Sequence, residues 1–244
     1  IVSFIFSAKK NVPVDPPVMI KPEVYEEMGR LTPDQKDERY FIPGDNLYLV
    51  GSAEHTLGPI HKVEIVELKN LPRRYTAFTP CFRRESGTYG KDTKGILRVH
   101  QFNKMEMFSF TLPEESEKEH QFLLAREEEF YSELGLPYQV VSICTGDMGF
   151  TDAKQIDIET WMPGQGKYRE TNSCSNTTDF QARGINARYR AESGKTEFVH
   201  MLNATVFTGR TLIAILENYQ QKDGSVAVPE VLVPYCGFDS ISVK

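Results

Sequence analysis

The chain has 244 residues, with 28 Lys and Arg against 34 Asp and Glu residues, a formal net charge of -6 and 40% hydrophobic residues. These fractions match those of globular domains, which excludes a disordered or fibrous protein. No apolar run approaches the roughly 18 residues of a membrane-spanning helix. Residues 1–8 lack the basic flank and the cleavage site of a signal peptide. We therefore expect a soluble chain without a membrane partner.

The four cysteines lie far apart, at Cys81, Cys144, Cys174 and Cys236. They form no CxxC pair, and no histidine lies at zinc-ligand spacing, so we expect a cytoplasmic protein without structural zinc. The acidic balance argues against a general nucleic-acid coat, because phosphate contacts need clustered Lys and Arg. The first residue is Ile1 rather than Met, which indicates a processed or trimmed chain.

The first part of the chain mixes short helical and extended segments. Residues 1–9 are expected to form the end of an apolar helix. Residues 11–20 should be extended, because their three prolines forbid a helix and suit the edge of a sheet. Residues 22–30 are expected to form a short helix that stops at Gly29.

From residue 46 onward, short runs of alternating apolar and polar residues predict antiparallel strands. The predicted strands are residues 46–50, 73–84, 96–110, 139–144, 155–162 and 197–203. Two longer helices interrupt them, one after the capping-box sequence at residues 111–114 and one over residues 210–221. Because strands and helices come in separate runs without a linker, we predict an α+β fold with an antiparallel sheet, in one domain spanning residues 1–244.

A hairpin with charged residues inside its strands is the most informative segment. Residues 79–85 run into a glycine-rich tip at 86–95, and the chain returns over 96–102. An arginine fork can hold phosphate or carboxylate, and an aromatic ring can stack on a base. A solvated sheet face with cross-strand ion pairs is the alternative. The side chains expected to share a face are Arg83 with Glu85, and Arg98 with His100 and Phe102.

Three further features carry unusual polar groups. Glu106 shares a face with Phe108 and Phe110, so its buried carboxylate needs a cation, either a structural Lys or Arg or a ligand ammonium. Residues 170–176 are dense in side-chain oxygens, which suits either Mg²⁺ held partly by nucleotide phosphates or polar turn residues that cap a helix. Arg210 heads the last long helix, where a basic side chain opposes the helix dipole unless it has an anionic partner.

Taken together, these segments resemble the catalytic domain of the seryl-tRNA synthetase family, a class II aminoacyl-tRNA synthetase family. The resemblance runs over about residues 12–235 and implies the class II catalytic fold, an antiparallel sheet flanked by helices. The matching segments are motif 1 at about 12–30, motif 2 at about 76–110, the type-specific stretches 144–150, 173–176 with 179–183, and 200–203, and motif 3 at about 209–220.

The resemblance implies a serine–tRNA ligase. Such an enzyme uses ATP and Mg²⁺ to activate L-serine to seryl-adenylate, releases pyrophosphate, and transfers serine to the 3′ end of tRNA(Ser). It also implies a cytoplasmic homodimer formed through the motif 1 region. The family's N-terminal helical arm is expected to be absent, so tRNA binding would be weak. The alternatives are an armless relative that aminoacylates a carrier protein and a non-catalytic dimeric paralogue.

The same resemblance assigns the site residues by position. Arg83 and Arg210 are the expected catalytic residues, with Arg83 on the α-phosphate and the serine carboxylate. Phe102 and Arg210 would sandwich the adenine, and Glu170 and Ser173 would hold Mg²⁺. The expected ATP-binding residues are Arg83, Arg84, Glu85, Val99, Phe102, Glu170, Thr171, Asn172, Ser173 and Arg210. The expected serine-binding residues are Ser52, Ala53, Glu54, Arg83, Glu106 and Thr205.

Overall fold

The computed structural model describes residues 11–86 and 95–242, so the expected helix end at residues 1–9 and the hairpin tip at 87–94 lie outside the described residues. The strands are β1 (Val12–Pro13), β2 (Met19–Ile20), β3 (Phe41–Ile42), β4 (Leu47–Leu49), β5 (Ile65–Glu67), β6 (Arg73–Phe82), β7 (Gln101–Thr111), β8 (Tyr138–Ser142), β9 (Lys154–Met162), β10 (Lys167–Asn176), β11 (Arg188–Arg190), β12 (Thr196–Phe198), β13 (His200–Thr208), β14 (Val226–Ala227) and β15 (Ser240–Ile241). The α-helices are α1 (Pro22–Glu27), α2 (Pro33–Lys36), α3 (Glu54–Leu57), α4 (Ser116–Glu133), α5 (Phe180–Ile185), α6 (Gly209–Tyr219) and α7 (Val233–Cys236).

A seven-stranded sheet in the order β1-β6-β7-β13-β10-β9-β8 forms the centre of the molecule. Its neighbouring strands are antiparallel, except that β1 runs parallel to β6. Smaller sheets are formed by β12-β11-β5, by β2-β4-β3 and by β14-β15. This arrangement confirms the predicted α+β fold, with helices packed around a mostly antiparallel sheet.

The longest helix, α4, packs on the middle of the sheet against β13, β10 and β7. Its buried side chains include Leu123, Phe130 and Tyr131, which join a core cluster with residues of β7, β9, β13 and α6. Residues 105–111 of β7 are buried at every position rather than at every second one. A central strand covered on both faces loses the apolar and polar alternation that marks a half-exposed strand.

The last long helix begins with a well-formed cap. The Thr208 hydroxyl accepts a hydrogen bond from the backbone N–H of Arg210 at 3.2 Å, and the Thr208 backbone N–H donates to the Thr211 hydroxyl at 3.4 Å. Reciprocal bonds of this kind satisfy the free N–H groups of a first turn. They confirm the predicted helix and place Arg210 in its first turn.

The return strand of the hairpin is shorter than predicted, because residues 96–100 form turns and β7 begins at Gln101. The backbone N–H of Arg83 still donates across the hairpin to His100 at 3.0 Å, but that of Arg84 donates to Glu38 at 3.0 Å. The backbone hydrogen-bond ladder of the hairpin therefore ends at Arg84, because the N–H group of Arg84 binds a carbonyl outside the hairpin. Glu85 also has a left-handed φ of 53°. The expected shared strand faces around Arg83 and Arg98 are therefore wrong.

Two other expectations about the secondary structure need correction. Residues 170–176 lie in β10, which pairs with β9 and β13, so they are neither a turn nor a helix cap. The sequence did not predict this strand, because its side chains are mostly polar and lack the apolar alternation typical of strands. Backbone hydrogen bonds to the neighbouring strands form regardless of side-chain polarity. The predicted strand at 197–203 is in fact two strands, β12 and β13, which belong to different sheets.

Candidate active site

A cavity of about 370 Å³ lies beside β7, β10, β13 and the start of α6. Most of the site residues expected from sequence line it. Those residues are Glu54, Arg83, Glu85, Val99, Phe102, Glu170, Thr171, Asn172, Ser173, Thr205 and Arg210. As far as the described residues define this cavity, Arg84, Ser52, Ala53 and Glu106 do not line it. The motif 2, motif 3 and type-specific segments thus meet at one place.

Arg83 lies at the end of β6, where the hairpin ladder opens. Its Nε donates to the backbone carbonyl of Gly51 at 3.1 Å, and its guanidinium lies 5.3 Å from the centre of the Phe102 ring. A guanidinium held by one carbonyl and one ring keeps further N–H groups for an anion. Arg83 can therefore bind a phosphate or carboxylate inside the cavity without losing its anchor.

Arg210 has the anionic partner that its place at a helix N-terminus requires. Its Nη1 donates to the backbone carbonyl of Glu170 at 2.8 Å and lies 3.4 Å from the Glu170 carboxylate. The side chains are 28% and 53% exposed, respectively. Nε also donates to the carbonyl of Leu97 at 3.5 Å. These contacts tie motif 3 to β10 and to the end of the hairpin.

The expected magnesium ligands are one carboxylate and one hydroxyl on β10. Glu170 and Ser173 both line the cavity. Among residues 11–86 and 95–242, no three His, Cys, Asp or Glu side chains are grouped as a metal site. Mg²⁺ commonly keeps several waters and is held by one or two protein ligands plus nucleotide phosphates. The donor set fits a cation that binds together with a nucleotide.

Thr171 and Asn172 are more deeply placed than their neighbours. Asn172 is buried, and its amide oxygen accepts a hydrogen bond from the hydroxyl of Tyr131, which lies on α4. Its amide nitrogen donates to the backbone carbonyls of Thr205 and Val206. Thr171 shares a hydrogen bond with Thr160 at 2.8 Å. These side chains brace β10 against its neighbours, and their contact with ATP stays a prediction.

Glu54 lines the cavity from the first turn of α3. Arg30 donates to its Oε1 at 2.8 Å, and Gln181 donates to the same oxygen at 2.8 Å. Burial raises the pKa of this carboxyl, but Arg30, Gln181 and Lys104 together lower it, so that the pKa lies below its ordinary value. Glu54 is therefore an ionised carboxylate in a buried setting.

Glu106 is fully buried behind Lys104, which lines the cavity. Lys104 Nζ lies 2.7 Å from Glu106 Oε2 and donates to the Ser52 hydroxyl at 3.2 Å. The Thr205 hydroxyl donates to the same Glu106 oxygen at 3.5 Å. Burial raises the pKa of Glu106, and Lys104 opposes that rise. The cation that this buried carboxylate requires is thus a structural lysine.

Five charged cavity residues are outside the site residues expected from sequence: Arg30, Arg98, Lys104, Asp147 and Asp152. Lys104 carried a usable signal, because it lies two residues before Glu106 and so on the same face of a strand. Arg30 and Asp152 carried none, because their side chains meet across 122 positions of the sequence.

Within the described part of the chain, no helix is long and apolar enough to cross a membrane. The four cysteines are free thiols, with Cys81 and Cys174 buried and Cys144 and Cys236 exposed.

Comparisons with known proteins agree with this geometry. The family model described as tRNA synthetase class II core domain (G, H, P, S and T) matches residues 39–219. The serine–tRNA ligase of Pyrococcus furiosus is 51% identical over 235 residues, which cover 96% of this chain and 51% of that protein. This chain therefore spans about half the length of that curated relative.

Two solved structures extend the comparison to the whole chain. The seryl-tRNA synthetase from Pyrococcus horikoshii complexed with ATP has a TM-score of 0.93 and 45% identity, over 100% of this chain and 56% of that one. The cytoplasmic serine–tRNA ligase from Naegleria fowleri in complex with AMP has a TM-score of 0.92 and 39% identity, over 100% of this chain and 58% of that one. The chain therefore belongs to the class II aminoacyl-tRNA synthetase core family, within its seryl-tRNA synthetase group.

Proposed function

We propose that this chain is the catalytic domain of a serine–tRNA ligase. It activates L-serine with ATP and Mg²⁺ to seryl-adenylate, releases pyrophosphate, and transfers serine to the 3′ end of tRNA(Ser). The observation that carries the proposal is one cavity whose lining includes Arg83, Arg210 and the Phe102 ring, which suit a nucleotide, together with buried carboxylates such as Glu54, which suit an ammonium group. The relative from Pyrococcus horikoshii, complexed with ATP, supports the choice of nucleotide.

The activation step needs positioning and charge stabilisation rather than a general base. A serine carboxylate is already a nucleophile, and it attacks the α-phosphate of ATP while the bond to pyrophosphate breaks. Arg83 reaches both the carboxylate and the α-phosphate, and Arg210 lies across the adenine from Phe102. Their positive charges stabilise the negative charge that accumulates on the phosphate oxygens. Mg²⁺, held by Glu170 and Ser173, would neutralise phosphate charge when it binds with ATP.

We place serine selection at the part of the cavity near Glu54 and Lys104, which we call the serine end. The ammonium group of the substrate is bound by Glu54, which lines the cavity, and the hydroxyl group lies near Thr205. Glu106, the other carboxylate expected to bind serine, contributes through Lys104 and Thr205, which it contacts. Lys104 opposes the rise in the pKa of Glu106 that burial causes, and it joins Glu106 to Ser52. Because buried polar groups left without a partner are costly, an amino acid whose side chain has no hydroxyl group binds poorly.

The proposal for the complete reaction includes partners beyond the small molecules. We propose tRNA(Ser) as acceptor, a homodimer formed through the motif 1 region at residues 12–30, and a cytoplasmic location. Since this chain spans about half of its curated relative, tRNA transfer is tested separately from serine activation. Charging of tRNA(Ser) by this chain is compared with charging by the same chain carrying an N-terminal helical arm.

Serine-dependent exchange of labelled pyrophosphate into ATP tests the activation step. Exchange that requires serine and Mg²⁺ supports the proposal, and its absence in folded protein would refute it. A better rate with threonine or alanine would remove only the serine assignment. An armless relative that aminoacylates a carrier protein would show exchange but would load serine onto the carrier rather than onto tRNA. A non-catalytic paralogue would show no exchange.

A further inference from the structure

Arg30 is a buried cation in the cavity wall to which the proposed reaction assigns no role. It follows Gly29, whose φ of +68° lets the chain turn after α1. A Cβ atom at Gly29 would lie 2.7 Å from Phe180 and 2.9 Å from Thr151, so a larger residue would force the turn away from these neighbours. The close approach of this turn places Arg30 at the cavity.

The Arg30 guanidinium bridges two carboxylates from distant parts of the chain. Its Nε donates to Glu54 Oε1 at 2.8 Å, and its Nη2 lies 2.7 Å from the same oxygen. Nη2 also lies 3.4 Å from Asp152 Oδ1. The three side chains are 13%, 7% and 5% exposed, respectively. A planar fork can serve both carboxylates at once, whereas a lysine ammonium acts as a single point charge.

The hydrogen bonds from Arg30 and Gln181 to the Glu54 carboxylate both reach one of its two oxygens. Gln181, on α5, donates to Glu54 Oε1 at 2.8 Å, so it binds the same oxygen as Arg30. Among the described residues, none donates a hydrogen bond to Oε2 of Glu54. Since Glu54 lines the cavity, Oε2 is the oxygen available to a ligand.

The charge balance at this end of the cavity depends on Arg30. Burial raises the pKa of Asp152, which Arg30 lowers and Glu54 raises further, and the net direction is upward. Lys104 also acts on Glu54, and Tyr25 acts on Arg30. Glu106 interacts electrostatically with Glu54, and His55 with Arg30. Without the guanidinium, two buried carboxylates would face each other and one would tend to take up a proton.

We propose that Arg30 is a positioning residue that fixes the Glu54 carboxylate, with Oε2 turned to the substrate ammonium, at the serine end of the cavity. The inference rests on the proposed serine activation. Arg30 acts through Glu54 and does not touch the reacting atoms. Its removal should therefore affect serine much more than ATP.

The first experiment replaces Arg30 by methionine, which keeps much of the side-chain length and removes the charge. In pyrophosphate exchange, we expect Arg30→Met to raise the KM for serine at least about tenfold, the loss expected for a charged hydrogen bond, and the KM for ATP less than about twofold. Arg30→Lys should recover part of the loss, because it keeps the charge without the fork. Lys36→Met is the matched control, because Lys36 forms an exposed pair with Glu26 at 3.1 Å.

The second experiment distinguishes positioning from a structural role. If the defect is the repulsion between two unbalanced carboxylates, Asp152→Asn added to Arg30→Met should restore part of the serine KM. Arg30→Met should also move the acid limb of kcat/KM for serine to higher pH, because Glu54 would lose the neighbour that lowers its pKa. If Arg30 has only a structural role, the variant should lose affinity for serine and ATP together. Asp152→Asn should then restore no affinity, and the acid limb of kcat/KM should stay at the same pH.

The outcomes separate this inference from the proposed function. If the parent enzyme catalyses exchange and Arg30→Met keeps its serine KM, the role of Arg30 is refuted and the function stands. A joint loss of serine and ATP affinity that Asp152→Asn does not rescue would also refute it. If the parent shows no exchange, the proposed function fails, and carbon-13 NMR titration of the glutamate carboxyls tests the coupling. An unchanged Glu54 pKa in Arg30→Met would then refute the inference, and a raised one would support it.

Discussion

The residues proposed to bind ATP, called here the nucleotide end of the cavity, and those at the serine end near Glu54 and Lys104 differ in how their charges are paired. At the nucleotide end, Glu170 and Arg210 are 53% and 28% exposed, and their carboxylate and guanidinium lie 3.4 Å apart. At the serine end, Lys104 and Glu106 are 12% and 0% exposed and lie 2.7 Å apart. An exposed pair is weak and can exchange partners, whereas a buried pair must stay together because each ion is expensive to leave alone.

This difference matches the ligands proposed for each end. ATP brings several negative charges and its own cation, so loosely paired groups can rearrange around it without a large loss. Serine is small and offers few contacts, so its site needs groups that are already in position. The comparison predicts that changes at the nucleotide end affect chemistry with little effect on stability, and that changes at the serine end affect both.

The largest expected effect is at Arg83, which is proposed to contact both ATP and serine. Arg83→Ala should lower the rate of serine-dependent exchange about 10³-fold, because it removes charge stabilisation of the reacting phosphate. The free energy of unfolding should change little, since the side chain is anchored by one carbonyl and one ring. Arg183→Ala is the control, because Arg183 is half exposed and paired with Asp179 on the surface. An unchanged exchange rate would show that Arg83 is misplaced in the mechanism.

The next largest effect should be on stability, at the serine end. Lys104→Met leaves the Glu106 carboxylate buried without its cation, which should lower the free energy of unfolding by about 3–5 kcal/mol. Urea denaturation measures this loss. The double variant Lys104→Met with Glu106→Gln should recover much of it, because no charge is then buried alone. A single variant as stable as the parent would mean that the two ends do not differ as described.

The buried carboxyl group of Glu127 predicts how the stability of the fold depends on pH. Glu127 lies on α4, is fully buried, and neither carboxyl oxygen has a partner of good hydrogen-bond geometry among the described residues. Burial, Glu106 and Asp157 raise the pKa of Glu127 well above its ordinary value, against the opposing effects of Lys104 and the Thr205 backbone N–H. The folded state therefore holds a proton that the unfolded chain releases near pH 4.5.

Stability should consequently fall as the pH rises from the unfolded pKa through the folded pKa of Glu127, by up to about 1.4 kcal/mol per pH unit. Glu127→Gln does not titrate, so it should be similar in stability to the parent near pH 4.5 and increasingly more stable than the parent as the pH rises above that value. Urea denaturation across this range measures the difference. Glu133→Gln, at the exposed end of the same helix, should leave the pH profile unchanged. A parallel profile for parent and Glu127→Gln would show that Glu127 does not stay protonated.

The smallest expected effect is at Glu170. Glu170→Gln should raise the Mg²⁺ concentration for half-maximal exchange about tenfold, as expected when a carboxylate near a metal loses its charge. The unfolding free energy should hardly change, because the side chain is half exposed. Glu159→Gln is the matched control, since Glu159 lies opposite Glu170 in the β9–β10 ladder. Equal Mg²⁺ dependence in both variants would exclude Glu170 from the cation site.

Local patterns predicted the nucleotide end better than the serine end. Arg83 and Arg210 lie in segments where capping, turns and motif spacing are readable along the chain. Lys104 was within reach of the same reasoning, because it shares a strand face with Glu106. The strand at residues 167–176 was missed because its polar side chains face a cavity, so its apolar alternation is weak.

The sequence by itself determined the α+β class, the two long helices, most strand positions and the family motifs, because these depend on neighbours within a few residues. The tertiary structure decided where the hairpin ladder ends, since Arg84 finds its hydrogen-bond acceptor at Glu38. It also decided that Arg30 meets Glu54 and Asp152. Contacts between residues that are far apart in sequence depend on how the segments pack, and no local pattern records them.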